Sequence, residues 1–261
     1  MKYKKPLIAS RPQKASSTQK TISLFHLLNE KKERIANDTS LDPQDRTAQL
    51  EACEAEKDKL GGLPAYQLAS LQGSKLFNTC KWLLKHLVRR KKDKSAPITL
   101  LDVGALTLSY KKYQWIKATY IDLHPQLPSI KEADLLELDL QDQKFDVVAL
   151  ALVLNFEPSP TRRFLMLKKA CQLIDLESAL GLIYVVLPVH CLSNSGKIGL
   201  VSFAGLMERE LQLKVVAWHT SPKLIFILLS KCVSSDEAVE VRDLPVDSRK
   251  GINCWDIIKC E

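Results

Sequence analysis

Apolar residues change their spacing near residue 98, and the change divides the chain into two kinds of structure. Before it, Ile22, Leu24, Phe25, Leu27 and Leu28 recur at helical spacing and lead into the charged run NEKKER. A second helix is expected to begin with Asp42 as N-cap, Pro43 at the first helical position and Asp45 in the first turn, and to stop at Gly61-Gly62. Its apolar positions are few, which marks it as weakly anchored or as a partner-binding helix. Tyr66 to Val88 then places Leu68, Leu71, Leu76, Trp82, Leu83 and Leu87 near helical spacing, with Gly73 weakening the middle. The run RRKKDK at 89–94 separates these helices from the main domain.

From Ile98 onward, short continuous apolar runs predict strands at 98–103, 118–121, 146–152 and 180–187. Between the last two, Ser159 and Pro160 open a helix carrying Phe164, Leu165, Leu167 and Leu173. Another helix at about 198–211 includes Leu200, Phe203, Leu206 and Met207. Strands of this kind alternating with helices predict a doubly wound α/β domain, its parallel sheet covered on both faces. The runs LKVVAW (213–218) and KLIFILL (223–229) are joined only by residues 219–222, too few for a crossover helix, so these two strands must be antiparallel. A mostly parallel sheet ending in an antiparallel hairpin resembles the class I (Rossmann-like) methyltransferase fold. An ordinary dinucleotide-binding domain would continue with parallel crossovers. The expected organisation is a basic arm and helical extension at 1–60, the α/β domain at 61–230 and a charged C-terminal tail at 231–261.

Composition narrows the class. The 261 residues are 46% hydrophobic and 26% charged, enough for one α/β domain with appendages or two small domains. The longest apolar runs, such as Val147–Leu154 and Leu182–Val189, fall far short of the roughly 20 residues of a membrane span. No secretory signal is expected in the first residues. Seven scattered cysteines with no C-x-x-C pair fit neither a disulfide framework nor a zinc site, so reduced thiols in an intracellular protein are expected, with no metal and no membrane. Charge is segregated. Residues 1–94 hold 20 Lys and Arg against 10 Asp and Glu, and residues 95–261 hold 18 against 20. A basic front on a near-neutral body is the footprint of a polyanion-binding region; a solvated lysine-rich surface with a nuclear address is the alternative.

The candidate ligand site begins where the first strand ends, in Leu101-Asp102-Val103-Gly104-Ala105-Leu106. In an open α/β sheet the ligand sits beyond the carboxyl ends of the strands, at the first strand-to-helix turn, where Gly104 lets backbone approach it closely. Asp122 closes the second strand and can accept both hydroxyls of a ribose. Asp134 occupies the equivalent end of a short third strand and could hydrogen-bond near an adenine. The second and third glycines of G-x-G-x-x-G are missing, and those exist to bring a pyrophosphate against a helix. A ligand with ribose but no phosphate, such as S-adenosylmethionine, needs them less. Gly104 merely turning the chain and Asp122 capping a loop is the structural alternative. Beyond the fourth strand, Leu154-Asn155-Phe156-Glu157-Pro158 resembles the polar-aromatic-proline turn that holds the target base in adenine methyltransferases. An Asn amide can bond an adenine edge and an aromatic ring can stack on it; a plain helix-entry turn punctuated by Pro158 and Pro160 is the other reading. His190, on the fifth strand's exit, is read as structural, since no nucleophile near it needs activation.

Taken in order, GGLPAYQLASLQG, LLDVGAL, YIDLHPQLPSI, FDVVALALVLNFEPSPTRR and VVLPVHCLSNS resemble fungal 25S ribosomal-RNA adenine-N1 methyltransferases of the nucleolus, over roughly residues 61–210. The resemblance implies S-adenosylmethionine as cofactor, with Gly104 and Asp122 on its cofactor positions, large-subunit rRNA or pre-ribosomal particles as partner, and a nuclear, nucleolar location. This chain departs in having Leu-Thr-Leu-Ser after the glycine turn. Animal relatives resemble S-adenosylmethionine sensors of the TOR growth pathway, so a sensor acting through a protein partner is the competing expectation. Adenine N1 is a neutral nucleophile that needs no strong base, and the rate would come from positioning. Asn155 and Phe156 are the expected base-positioning residues, with Asn194 a weaker candidate.

Overall fold

The computed structural model describes residues 17–62, 65–66, 69, 79–91, 96–139, 143–231, 238–248 and 250–259. The chain divides at Phe77/Asn78 into two compact units. The basic arm at 1–16, most of the expected 66–79 segment and Lys92–Lys94 lie outside the described residues.

The first unit carries helix α1 (Ser17–Asn37) and helix α2 (Pro43–Lys59). The α2 start follows the expected chemistry: the Asp42 carboxylate accepts from the Gln44 N–H at 2.8 Å and Pro43 needs no donor. Its end comes at Gly61, whose φ of +92° is left-handed. The two helices are joined by an ion pair of Lys32 with Glu54, which also meets Lys57 at 3.3 Å, and by the Lys57 ammonium over the Phe25 ring. Tyr66 stacks on Phe25 with centroids 4.6 Å apart. Of the apolar stripe expected on α1, Phe25 and Leu28 are buried, whereas Leu24 and Leu27 face solvent.

The second unit is built on one seven-stranded sheet. Its strands are β1 (Ile98–Val103), β2 (Ile116–Asp122), β3 (Lys131–Glu132), β4 (Val147–Ala151), β5 (Leu182–Pro188), β6 (Lys214–Thr220) and β7 (Leu224–Ser230), in the order β3-β2-β1-β4-β5-β7-β6. The first five are parallel; β7 runs antiparallel between β5 and β6. This is the expected class I topology with its terminal hairpin. The alternation of each strand divides two layers. Leu101, Val103, Val148, Leu150, Ile183, Val185, Ile225 and Ile227 join Phe164, Leu167, Phe203 and Met207 in one core, so helices α4 (Pro160–Leu173) and α6 (Leu200–Leu211) cover that face. Helix α3 (Cys80–Arg90) covers the other, where Trp82 stacks on Tyr184 and the Tyr184 hydroxyl donates to the Thr79 carbonyl at 2.7 Å. A short turn of helix, α5 (His190–Ser193), follows β5.

Two expectations are corrected. The β1–β2 crossover contains no helix: residues 104–115 form turns, because LTLSYKKYQW offers no helical stripe and buries Tyr110 alone beyond Ala105. Gly104 therefore opens a strand–turn–strand link, and this crossover brings no helix dipole to the ligand edge. The region after 230 is also more than a charged tail. Val239 donates to the Val215 carbonyl (2.8 Å), Asn253 bonds the backbone of Asn194 and Gly196, and Trp255 and Ile257 are buried in the main core. The helix-entry turn is tied to this strap by Arg163, which is 3% exposed. Its guanidinium donates to the carbonyls of Glu157 (2.7 Å), Pro158 (3.2 Å) and Asp256 (2.7 Å) and lies 5.0 Å from the Trp255 ring centroid.

Replacing Arg163 with Ala strands these partly buried carbonyls and opens a cavity beside Trp255. Arg163→Ala is expected to cost about 3 kcal/mol in urea unfolding, and Arg163→Lys to recover only part of it, since an ammonium cannot fork to three acceptors. A loss under about 0.5 kcal/mol, the range of ordinary surface changes, would contradict this reading.

Candidate functional site

Gly104, Asp122 and the turn after β4 meet at the carboxyl edge of the sheet. Val103 is in register with Ile121, which sets Gly104 opposite Asp122 on the neighbouring strand end. Gly104 has φ +71°, and its N–H donates to the Ile121 carbonyl at 2.8 Å. A Cβ added at Gly104 would overlap the Val153 Cγ2 methyl. Glycine is thus required twice, by the left-handed backbone and by the pressure of the β4 turn on the β1 turn.

Asp122 is half-buried, and burial pushes its carboxyl above the ordinary range. One oxygen accepts from the His124 N–H at 2.8 Å, and among the described residues the other takes no hydrogen bond. Asp134 follows the end of the short β3, as expected, and is already engaged within the protein. One oxygen caps Leu136 N–H (2.8 Å) and the other meets the Arg162 guanidinium at 3.1 Å, while Arg162 also holds Glu157 at 3.1 Å. Each carboxylate oxygen can accept a second bond, so an adenine amine would share Asp134 with Arg162.

The β4 turn carries strain and an unmet polar group. Leu152 adopts φ +61°, uncommon for a residue with a side chain, and its N–H donates to the Val186 carbonyl. Among the described residues, the buried Asn155 Oδ1 has no hydrogen-bond partner. Phe156 is half-buried beside it, its N–H donating to the Val153 carbonyl at 2.9 Å. Asn194 is a correction. It is 2% exposed and its amide is consumed in structure: Nδ2 donates to the Asp247 and Lys250 carbonyls, and Oδ1 accepts from the Ser193 hydroxyl and the Asp247 N–H. It pins the C-terminal strap and has nothing left for a base. The part of His190 used by the fold is its carbonyl, which accepts from Asn253 Nδ2 at 2.8 Å.

Asp102 is a further residue of the site, signalled in sequence only by a carboxylate interrupting the apolar run ITLLDV. It is 8% exposed, and burial pushes its carboxyl up to about 7. It stands in one row across the sheet with Tyr120, Ala149 and Tyr184, two residues before Gly104. Among the described residues no hydrogen bond reaches its carboxyl group. The set fits the expected ligand: a glycine cradle, an Asp122 oxygen open to a ribose, a buried carboxyl able to face a cation, and an orphaned amide oxygen. Among the described residues no group of three or more His, Cys, Asp or Glu could hold a metal, and no helix is long and apolar enough to cross a membrane. A separate open hollow of about 480 Å³, lined by Lys144, Lys168, Arg209 and Lys231, lies at the opposite edge of the sheet.

The family model of the 25S rRNA (adenine(2142)-N(1))-methyltransferase, Bmt2, matches residues 51–253. The 25S rRNA adenine-N(1) methyltransferase of Schizosaccharomyces pombe is 28% identical over 194 residues, covering 67% of this chain and 67% of that protein. The 25S rRNA (adenine(2142)-N(1))-methyltransferase of Saccharomyces cerevisiae is 27% identical over 210 residues, covering 75% of this chain and 60% of that protein. An S-adenosylmethionine sensor upstream of mTORC1 from Danio rerio is 29% identical over 116 residues, covering 35% of this chain and 29% of the sensor. Among solved structures, the plantazolicin methyltransferase BpumL with SAH aligns at TM-score 0.44 and 14% identity, covering 81% of this chain and 98% of that one.

Two measurements check the site. In the folded chain Asp102 binds its proton more tightly than its ordinary value of 3.8 allows when unfolded, so stability is full at low pH and falls as pH rises from about 4 to about 7. Asp102→Asn should remove that fall, leaving the variant the more stable protein at pH 8 and equal to the parent near pH 4; parallel curves would contradict it. Gly104→Ala should weaken S-adenosylmethionine binding at least tenfold by calorimetry with the circular dichroism spectrum retained, because only the two pressed turns must part.

Proposed function

The chain belongs to the 25S rRNA (adenine(2142)-N(1))-methyltransferase family, and from that membership we propose that it moves a methyl group from S-adenosylmethionine to N1 of an adenosine in large-subunit ribosomal RNA. When bound, the cofactor supplies an electrophilic sulfonium methyl. Adenine N1 brings its own lone pair, so this chain needs no general base and its work is alignment. The Gly104 turn admits the cofactor's nucleoside close to the backbone, and Asp122 accepts from its ribose hydroxyls.

The observation that carries the substrate side is the buried Asn155 Oδ1 with no partner. A buried acceptor left unmet costs about 1–3 kcal/mol, and the N6 amine of an adenine is a donor that would satisfy it. That amine is adjacent to N1, so the bond leaves N1 unblocked and aimed. Phe156, on the same turn, offers its ring to the face of an unstacked base. The segment that presents both is rigid: Val153 is pressed on Gly104, and Arg163 holds the carbonyls of Glu157 and Pro158. The substrate reading extends to assembling large-subunit particles as the form of the RNA met, and to the nucleus and nucleolus as the place. Both extensions rest on the family.

Asn155→Ala removes an oxygen that takes no hydrogen bond among the described residues, so it should not lower the melting temperature or the affinity for S-adenosylmethionine. Methyl transfer to adenosine N1, scored as reverse-transcription stops on large-subunit RNA, should fall about a hundredfold or more. Parent protein that binds the cofactor but leaves no methylated adenosine on pre-ribosomal particles would overturn the enzyme reading in favour of a sensor.

A further inference from the structure

Helix α3 and the β6–β7 hairpin come from distant parts of the chain and share one charge. Residues 80–91 and 213–231 contain eight Lys and Arg and no Asp or Glu, in a protein that holds 30 acidic residues. The two stretches pack on each other. The Trp82 and Phe226 ring centroids are 5.8 Å apart, and the Arg90 guanidinium donates to the Val216 carbonyl.

On α3 the side chains sort into stripes. Cys80, Leu83, Leu84 and Leu87 are buried. Lys81, Lys85 and Arg89 are exposed at i, i+4 and i+8, so they stand one above another along the solvent side. Like charges at this spacing destabilise a helix, and no acid on α3 offsets them. The next stripe is aromatic: Trp82 and His86 are half-buried with centroids 4.2 Å apart, and Phe226 and then the exposed His219 continue the row onto the hairpin. Burial first, and then Arg90, Arg89 and Lys85, hold the His86 imidazole below its ordinary range, as expected within a positive field.

This surface reaches the methyl-transfer edge. Phe226 is paired with Val186 and with His219, and the Val186 carbonyl accepts from Leu152, the strained residue that starts the Asn155 turn. Resting on the methyltransferase reading above, we propose that the outer face of α3 and the adjoining hairpin form the RNA-docking surface. Lys81, Lys85 and Arg89 take backbone phosphates of a single strand, and the rings of Trp82, His86, Phe226 and His219 meet its bases on the way to the Asn155 turn. A row of cations beside a row of rings is how proteins hold unpaired nucleic acid; a duplex, with its bases stacked inside, would use the cations alone. The site also sharpens the expectation for the basic run at 89–94: Arg90 and Lys91 are already engaged with the carbonyls of Val216 and Ala96, which leaves Arg89 as the outward cation among the described residues.

The test uses the full chain and two probes, a single-stranded fragment of large-subunit rRNA and a duplex of matching length, titrated across KCl concentrations. The triple variant Lys81→Gln, Lys85→Gln, Arg89→Gln should flatten the log–log salt slope for the single strand by about 2–3. It should raise KM for RNA with kcat unchanged at saturation, and keep the affinity for S-adenosylmethionine. His219→Ala should leave the slope alone yet weaken single-strand binding about tenfold, with little change for the duplex. Parent-like slope and KM in the triple variant, with parent methylation intact, would overturn this surface and leave the enzyme reading standing. Parent protein that neither binds nor methylates the RNA would overturn both.

Discussion

The buried guanidinium of Arg163 is the constraint from which the working edge of this protein follows. A cation so enclosed needs acceptors on every side, and the acceptors it finds are main-chain carbonyls from the β4–α4 turn and the C-terminal strap. Two segments almost a hundred residues apart are thereby fixed to one side chain. The turn cannot relax away from Gly104 without breaking these bonds. The strap cannot leave without exposing Trp255 and stranding the charge. Asn194 closes the same arrangement from the β5 side, its Nδ2 donating to the Asp247 and Lys250 carbonyls and its Oδ1 accepting from Asp247 N–H.

A turn held this firmly can store what would otherwise relax. Leu152 stays in the left-handed region and Asn155 keeps a buried oxygen unpaired. Each is unfavourable in the isolated fold, and both lie on the one turn at the carboxyl edge of the sheet. The physical logic is that of a site preorganised for a ligand: the unmet acceptor costs stability until a donor arrives. Chemistry at adenine N1 asks for this kind of site. With a neutral nucleophile and a charged methyl donor there is no proton to remove in advance, so precision of approach carries the rate.

Much of the fold was legible because it rests on local signals. Continuous apolar runs marked every long strand, and the four residues between the last two dictated the antiparallel pair. Asp42-Pro43 set the start of α2 as expected. What failed did so for long-range reasons. Nothing local in 104–115 announces that the β1–β2 link has no helix except the lack of a stripe, and burial of Tyr110 replaces the missing layer. The strap after 230 reads as a charged tail because its anchors, Trp255 and Ile257 with Val241 and Leu244, are scattered among polar residues, and their partners are the helices and strands of a finished core. Asn194 looks like a free polar residue until the strap consumes it. The positions of Gly104 and Asp122 were legible because the apolar runs end just before them, which sets both at strand ends of an open sheet. Asp102 was visible in the run ITLLDV, yet its meaning depends on Tyr120, Ala149 and Tyr184 standing beside it.

Charge shows how far sequence and structure can diverge in what they reveal. The net excess of the first 94 residues points to a polyanion but to no surface, because a sum along the chain contains no directions. Once α3 is folded, three of its cations share one side, and the hairpin brings a second acid-free stretch against it. A helix whose neighbouring charges repel is poorer for its own stability than one with interspersed acids. The same arrangement gains when a phosphate backbone lies along it, since each contact also releases counterions. The cost on the free protein and the gain on the bound one fall on the same residues, beside the edge where Gly104, Asp122 and Asn155 meet.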